Sequence, residues 1–79
     1  MQQIIKELIE SIDNENESLY NDYDYLNDNV RKLFGSVTRE QKINMEWLLA
    51  KLHTDMVILH TSLKELQKAV RDAGQKIQN

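Results

Sequence analysis

The chain has 79 residues, no cysteine, no proline, two glycines and a formal net charge of −3. Its length allows at most one domain, the absence of cysteine excludes disulfides and thiolate metal sites, and the acidic balance argues against general nucleic-acid binding. A chain this short buries only about 60% of its unfolded surface, so we expect oligomerisation or very regular helix packing to stabilise it.

A heptad pattern predicts a first helix over residues 2–34. Its steps alternate between four and three residues without interruption. The members of this first seam are Ile5, Ile9, Ile12, Asn16, Leu19, Tyr23, Leu26, Val30 and Leu33. Residues 13–29 also contain five asparagines and four aspartates, which compete with helical hydrogen bonding. A break between Asn14 and Ser18, giving three helices in all, is therefore an alternative.

Two glycines and one capping signal predict the ends of the helices. Gly35 suits a left-handed cap that ends the first helix, so residues 35–38 form a loop. Thr38 and Gln41 have the spacing of a capping box, which predicts that the second helix begins at Arg39. Gly74 predicts that this helix ends at residue 73 and is followed by a frayed tail over residues 74–79.

The second helix carries a seam with the same heptad spacing. Its members are Met45, Leu49, Leu52, Met56, Leu59, Leu63, Leu66, Val70, Ala73 and Ile77. Two such seams joined by a short loop predict an all-α fold, an antiparallel, coiled-coil-like two-helix hairpin over residues 1–79.

The hairpin predicts which residues face each other. The sequence positions of two residues that face each other should sum to about 75. The expected pairs are Ile5 with Val70, Ile12 with Leu63, Leu19 with Met56, and Leu26 with Leu49. The same arrangement places His60 near Asp13 and His53 near Tyr20.

A second apolar stripe lies on the second helix, away from the seam. It consists of Trp47, Ala50, Thr54, Val57, Ile58 and Thr61. A helix that is apolar on two faces is expected to be buried on both, and tryptophan is enriched at interface hot spots. We therefore expect hairpins to associate into a helical bundle, most simply a two-fold homodimer of four helices. A larger protein partner for this stripe is one alternative, and an isolated monomer is another.

Three polar residues occupy special positions. Asn16 interrupts the first seam, and a buried asparagine there costs stability but fixes register and partner number. His53 and His60 share a helical face but lie about 10 Å apart along the helix, too far to bind one metal ion. We expect each histidine to make a flanking salt bridge or hydrogen bond, with pH-sensitive association as the weaker alternative.

The sequence contains no pattern of catalytic, cofactor-binding or metal-binding residues. Two glycines cannot form a phosphate-binding loop, and the serines lack a recognisable histidine partner. We expect no enzymatic activity and no cofactor. No apolar run approaches the ~18 residues of a membrane span, and the N-terminal residues do not resemble a signal peptide. These features predict a cytoplasmic protein without a membrane partner, in the host cytoplasm if it is viral.

Charge is distributed unevenly along the chain. Residues 1–34 carry eight acidic and three basic side chains, and residues 35–79 carry seven basic and five acidic ones. Lys64, Lys68 and Arg71 form a short basic stripe on the second helix. We expect a solvated surface there, with phosphate contact in an oligomer as the alternative.

Together these features predict a non-enzymatic protein–protein interaction module, such as a small adaptor, chaperone or inhibitor that acts through an oligomeric helical bundle. The first alternative is an accessory factor in nucleic-acid metabolism. Such a factor would bind nucleic acid through the basic stripe or mimic it through the acidic first helix. The second alternative is a structural assembly element.

Overall fold

A computed structural model describes the backbone of residues 2–78 and the side chains of residues 2–76. Helix α1 spans Gln2–Arg31, a single 3-10 turn spans Phe34–Ser36, and helix α2 spans Arg39–Gln78. The two helices run antiparallel and form an elongated hairpin of 62 × 16 × 8 Å. The all-α class and the two-helix hairpin are thus confirmed, and the described backbone contains no strand.

Helix α1 is continuous through residues 13–29, so the three-helix alternative is wrong. Several polar side chains in its second half bond to the helix itself. The Asn29 side-chain amide donates to the Tyr25 carbonyl at 2.7 Å, and the Asn27 amide oxygen accepts from Arg31 Nε at 3.1 Å. These bonds span one helical turn, so these two asparagines are accommodated without a break.

The connection between the helices differs from the predicted glycine cap. Helix α1 ends at Arg31, three residues before the predicted end at Phe34. The next hydrogen bonds join residues three apart in place of four. Leu33 N–H donates to the Val30 carbonyl, and Ser36 N–H donates to the Leu33 carbonyl. Gly35 does not adopt a positive φ, so the predicted left-handed cap is wrong. Short 3-10 hydrogen bonds close the helix end instead.

The capping box at the start of α2 is confirmed. The Gln41 side-chain oxygen accepts from Thr38 N–H at 3.0 Å, and Thr38 Oγ1 accepts from Gln41 N–H at 3.1 Å. These two bonds satisfy backbone donors that would otherwise have no partner at the helix N-terminus.

Gly74 lies inside α2 and does not end it. The helix continues to Gln78, so the predicted end at residue 73 is wrong and residues 74–78 are helical, while Asn79 lies outside the described residues. A Cβ atom at Gly74 would stand 2.8 Å from Ile5 Cγ2. Glycine is therefore needed here because the first turns of α1 approach the α2 backbone closely. The side chain of Ile77, a predicted seam member, lies outside the described part.

The contacts between the helices lie close to the predicted register, with residue numbers that sum to values between 72 and 80. Leu19 and Met56 line one shared cavity, and Leu26 and Leu49 line another. At the open end Ile5 lies against Gly74, one turn beyond its predicted partner Val70.

The aromatic partners of the two histidines differ from the residues expected beside them. His60 lies beside Tyr20 and His53 beside Tyr23, so the predicted pairs with Asp13 and Tyr20 are wrong. Asp13 instead accepts a hydrogen bond from Gln67. The heptad pattern does not encode these polar and aromatic contacts.

The core of the hairpin is small. Among the described side chains, the buried hydrophobic ones are Ile12, Leu49 and Met56, and the buried polar ones are Asn16 and Gln67. Gln67 Nε2 donates to the Ile9 carbonyl at 3.1 Å and to Asp13 Oδ1 at 2.7 Å, which satisfies both donors of its side-chain amide nitrogen.

Candidate protein-interaction surfaces

The hairpin exposes more surface than a compact protein of its mass. Its accessible surface is 6176 Å², whereas a folded monomer of this size is expected to expose about 5,000 Å². The elongated shape of 62 × 16 × 8 Å accounts for such a surplus, and large exposed apolar side chains lie on two surfaces, the stripe along α2 and a groove between the helices.

The six predicted stripe residues are all exposed on α2. Trp47 is 62% exposed and Ile58 is 60% exposed. The hydroxyls of Thr54 and Thr61 donate to the carbonyls of Ala50 and Val57, at 3.2 and 3.1 Å. Because these hydroxyls are occupied by the helix backbone, the two threonines present their methyl groups to solvent.

Ile43 extends the stripe by one turn, which the sequence reasoning missed. It lies four residues before Trp47 and is 56% exposed. With Ile43 included, the stripe alternates steps of four and three residues at positions 43, 47, 50, 54, 57 and 61. This heptad spacing is the signal that could have revealed it, because a second helix packing on the stripe would contact these positions.

A second apolar surface runs between the helices on one side of the hairpin, and we call it the leucine groove. Two adjoining open cavities of about 270 and 160 Å³ form it and share Leu26 and Leu52. Its lining residues are Leu19, Asp22, Tyr23, Leu26, Val30, Met45, Leu48, Leu49, Leu52, Asp55, Met56 and Leu59.

The leucine groove corrects the predicted seam. Leu26, Leu33, Leu52, Leu59 and Leu66 were expected to be buried between the helices, but they are 44% to 51% exposed. On α2, Leu49 and Met56 face α1 as predicted, but the second row that faces α1 is His60, Gln67 and Gly74. The row of Leu52, Leu59 and Leu66 is therefore displaced to the flank of α2, where only additional chain could bury it.

The charged residues that line the leucine groove are both acidic. Asp22 on α1 and Asp55 on α2 line it from opposite sides. No lysine or arginine is among the side chains that line the two cavities within the described chain.

The histidines make aromatic contacts rather than the predicted salt bridge or hydrogen bond. The Tyr20 and His60 rings meet edge to face at 5.1 Å, and the Tyr23 and His53 rings do so at 5.3 Å. Tyr23 also donates its hydroxyl to the Leu49 carbonyl at 3.3 Å. These contacts tie α1 to α2 near the middle of the hairpin.

Asn16 is buried in the seam, as predicted. It is 5% exposed, and neither its amide nitrogen nor its amide oxygen has a hydrogen-bond partner among the described residues. His60 Nδ1 is also buried without a partner. Unpaired polar atoms of this kind cost stability.

The predicted basic stripe is partly neutralised. Lys64 Nζ lies 4.0 Å from Asp13 Oδ1, while Lys68 and Arg71 are exposed. The antiparallel packing thus brings an acidic side chain of α1 beside the basic residues of α2, which lowers the local positive potential.

The described residues contain neither a candidate membrane-spanning helix nor a candidate metal-binding cluster. Within the described residues, no helix combines the length and apolar character that crossing a membrane requires. Across the same residues, histidine and acidic side chains form no cluster of three or more suited to a metal ion. No protein-family model, no curated protein and no solved structure shows significant similarity to the chain.

Proposed function

We propose that the protein is a non-enzymatic protein–protein interaction module, in the broad class of adaptors, chaperones and inhibitors, that acts as a homo-oligomeric helical bundle. Its simplest form is a two-fold dimer in which the α2 stripes of two copies pack together. The observation that carries this proposal is the exposed heptad stripe that includes Trp47 and Ile58.

The exposed area supports the need for a partner. The hairpin exposes roughly 1,200 Å² more than a compact monomer of equal mass. A standard interface buries about 800 Å² on each partner, so one such contact would remove most of this surplus. Burying apolar area contributes about 25 cal/mol per Å², which makes the exposed stripe a source of association energy.

The composition of the stripe favours a second copy of α2. Ala50 and Thr54 are small, so two helix backbones can approach closely at this point. Trp47 on one side and Val57 on the other supply larger apolar side chains. A two-fold axis near Ala50 and Thr54 would place equivalent stripes against each other, as closed homodimers require.

Sedimentation equilibrium at tens of micromolar tests this proposal. We expect the wild-type chain to be a dimer and Trp47→Glu to be a monomer, because a carboxylate in an apolar interface is costly to desolvate. Tyr25→Glu is the matched control, since it makes the same aromatic-to-acid change at an exposed position on α1. We expect that control to remain dimeric.

A monomeric wild-type protein at these concentrations would contradict self-association. If both variants dissociate equally, added negative charge rather than the stripe accounts for the effect, and the interface would have to lie elsewhere.

A further inference from the structure

We infer that the leucine groove binds an amphipathic helix of a partner protein, one whose apolar stripe is flanked by lysine or arginine. This inference rests on the proposed function as an interaction module and names the chemistry of the partner. The shape, the apolar floor and the charge of the groove carry it.

The shape and floor of the groove suit a third helix. Its floor contains the buried Leu49 and Met56, and its sides contain the half-exposed Leu26, Leu52 and Leu59. Residues 45–59 of α2 run along it for about 21 Å, or four helical turns. An amphipathic helix of similar length could place its apolar side chains between those of α1 and α2.

The charge of the groove points to a basic partner. Asp22 and Asp55 stand on opposite sides of it, and no basic side chain lines its cavities. The surroundings reinforce this sign, because residues 7–28 of α1 contain eight acidic residues and no lysine or arginine. A helix with basic residues on both flanks would complement the two aspartates and be attracted from a distance.

A second copy of the chain fits this groove poorly. Two grooves packed face to face would bring Asp22 and Asp55 of both copies into one apolar interface. Neither groove has a basic side chain in its lining that could pair with these carboxylates. Like charges in such a place disfavour association. The groove also points away from the stripe, since the adjacent residues Ile58 and Leu59 lie about 100° apart around α2. A dimer formed through the stripe therefore leaves the groove open.

Fluorescence anisotropy with two labelled peptides of about 20 residues tests the inference. Both peptides carry the same leucine stripe, which one flanks with lysine and the other with glutamate. We expect the wild-type chain to bind the lysine peptide and not the glutamate peptide. We expect Asp22→Lys/Asp55→Lys to weaken binding of the lysine peptide about tenfold.

The matched control is Asp24→Lys/Asp28→Lys. It makes the same change in net charge on exposed residues of α1 that do not line the groove. We expect this control to change the affinity by no more than about twofold. Circular dichroism verifies that both double variants keep the helical content of the wild type.

Three outcomes would overturn the inference. Equal weakening in both double variants would mean that net charge, not the groove, attracts the peptide. Equal wild-type affinity for the two peptides would remove the charge argument. Loss of self-association in Asp22→Lys/Asp55→Lys, with Trp47→Glu still dimeric, would place a second copy in the groove. A monomeric wild type that binds the lysine peptide selectively would instead contradict the proposed oligomer alone.

Discussion

Replacing Asn16 with leucine should stabilise the protein. Asn16 is 5% exposed and its two amide atoms have no hydrogen-bond partner among the described residues. Leucine has the same branching at Cγ as asparagine, so it can occupy the site without leaving a cavity. The change removes an unpaired buried amide, which costs about 1–3 kcal/mol.

The stability gained by removing the buried amide must be separated from the gain in helix propensity, because leucine is also the better helix former. Asn21→Leu is the matched control, since it makes the same change at an exposed position of the same helix. We expect the free energy of unfolding of Asn16→Leu to exceed that of Asn21→Leu by about 1–3 kcal/mol. For a domain of this size, each kcal/mol corresponds to a rise in Tm of roughly 4–8 °C.

The assay is denaturant and thermal unfolding monitored by circular dichroism, at one fixed protein concentration because association contributes to stability. An Asn16→Leu variant no more stable than Asn21→Leu would refute the reasoning, since the Asn16 amide would then be satisfied in solution. Sedimentation of the same variant tests the second role of the residue. A changed number of subunits would show that Asn16 sets partner number, and an unchanged number would leave it only a cost in stability.

Two further predictions concern the glycine inside α2 and the side chain that caps the N-terminus of α2. Gly74→Ala should lower the Tm by about 4–8 °C despite the gain in helix propensity, because its Cβ would stand 2.8 Å from Ile5 Cγ2. Thermal melts should show that Gly35→Ala, where nothing lies within 4 Å, has no such cost, and a neutral Gly74→Ala would argue against close packing at that end. Thr38→Ala should cost about 1 kcal/mol in denaturant unfolding by removing the capping bond to Gln41 N–H. Thr38→Ser should retain most of that stability, and equal losses in both variants would assign the effect to the threonine methyl group.

Local signals in the sequence predicted the parts of the fold that depend on neighbouring residues. The capping box at Thr38 and Gln41 involves groups three residues apart, so its spacing is visible in the sequence. The burial of Asn16 followed from its place in an uninterrupted heptad pattern. The exposure of Trp47 and Ile58 likewise followed from their distance around the helix from the seam.

Features that depend on distant contacts were not predictable in this way. Gly74 resembles a helix cap in sequence, and only its proximity to Ile5, at the other end of the chain, explains why it is glycine. The heptad pattern marks Leu49 and Leu52 alike, although one is buried and the other half-exposed. The second row of α2 that faces α1 consists of His53, His60, Gln67 and Gly74, which an apolar heptad pattern does not mark as a seam. The leucine groove was therefore hidden within the predicted seam.

The contact of Ile5 with Gly74 has a mechanical consequence. It places both ends of the described chain at the same pole of the hairpin, while the Phe34–Ser36 turn occupies the other pole of a body 62 Å long. A force applied between the two ends would therefore pull the helices apart sideways and break their contacts one after another. It would not load all the contacts in shear at the same time. The contact of Ile5 with Gly74 would break before the aromatic pairs near the middle of the hairpin.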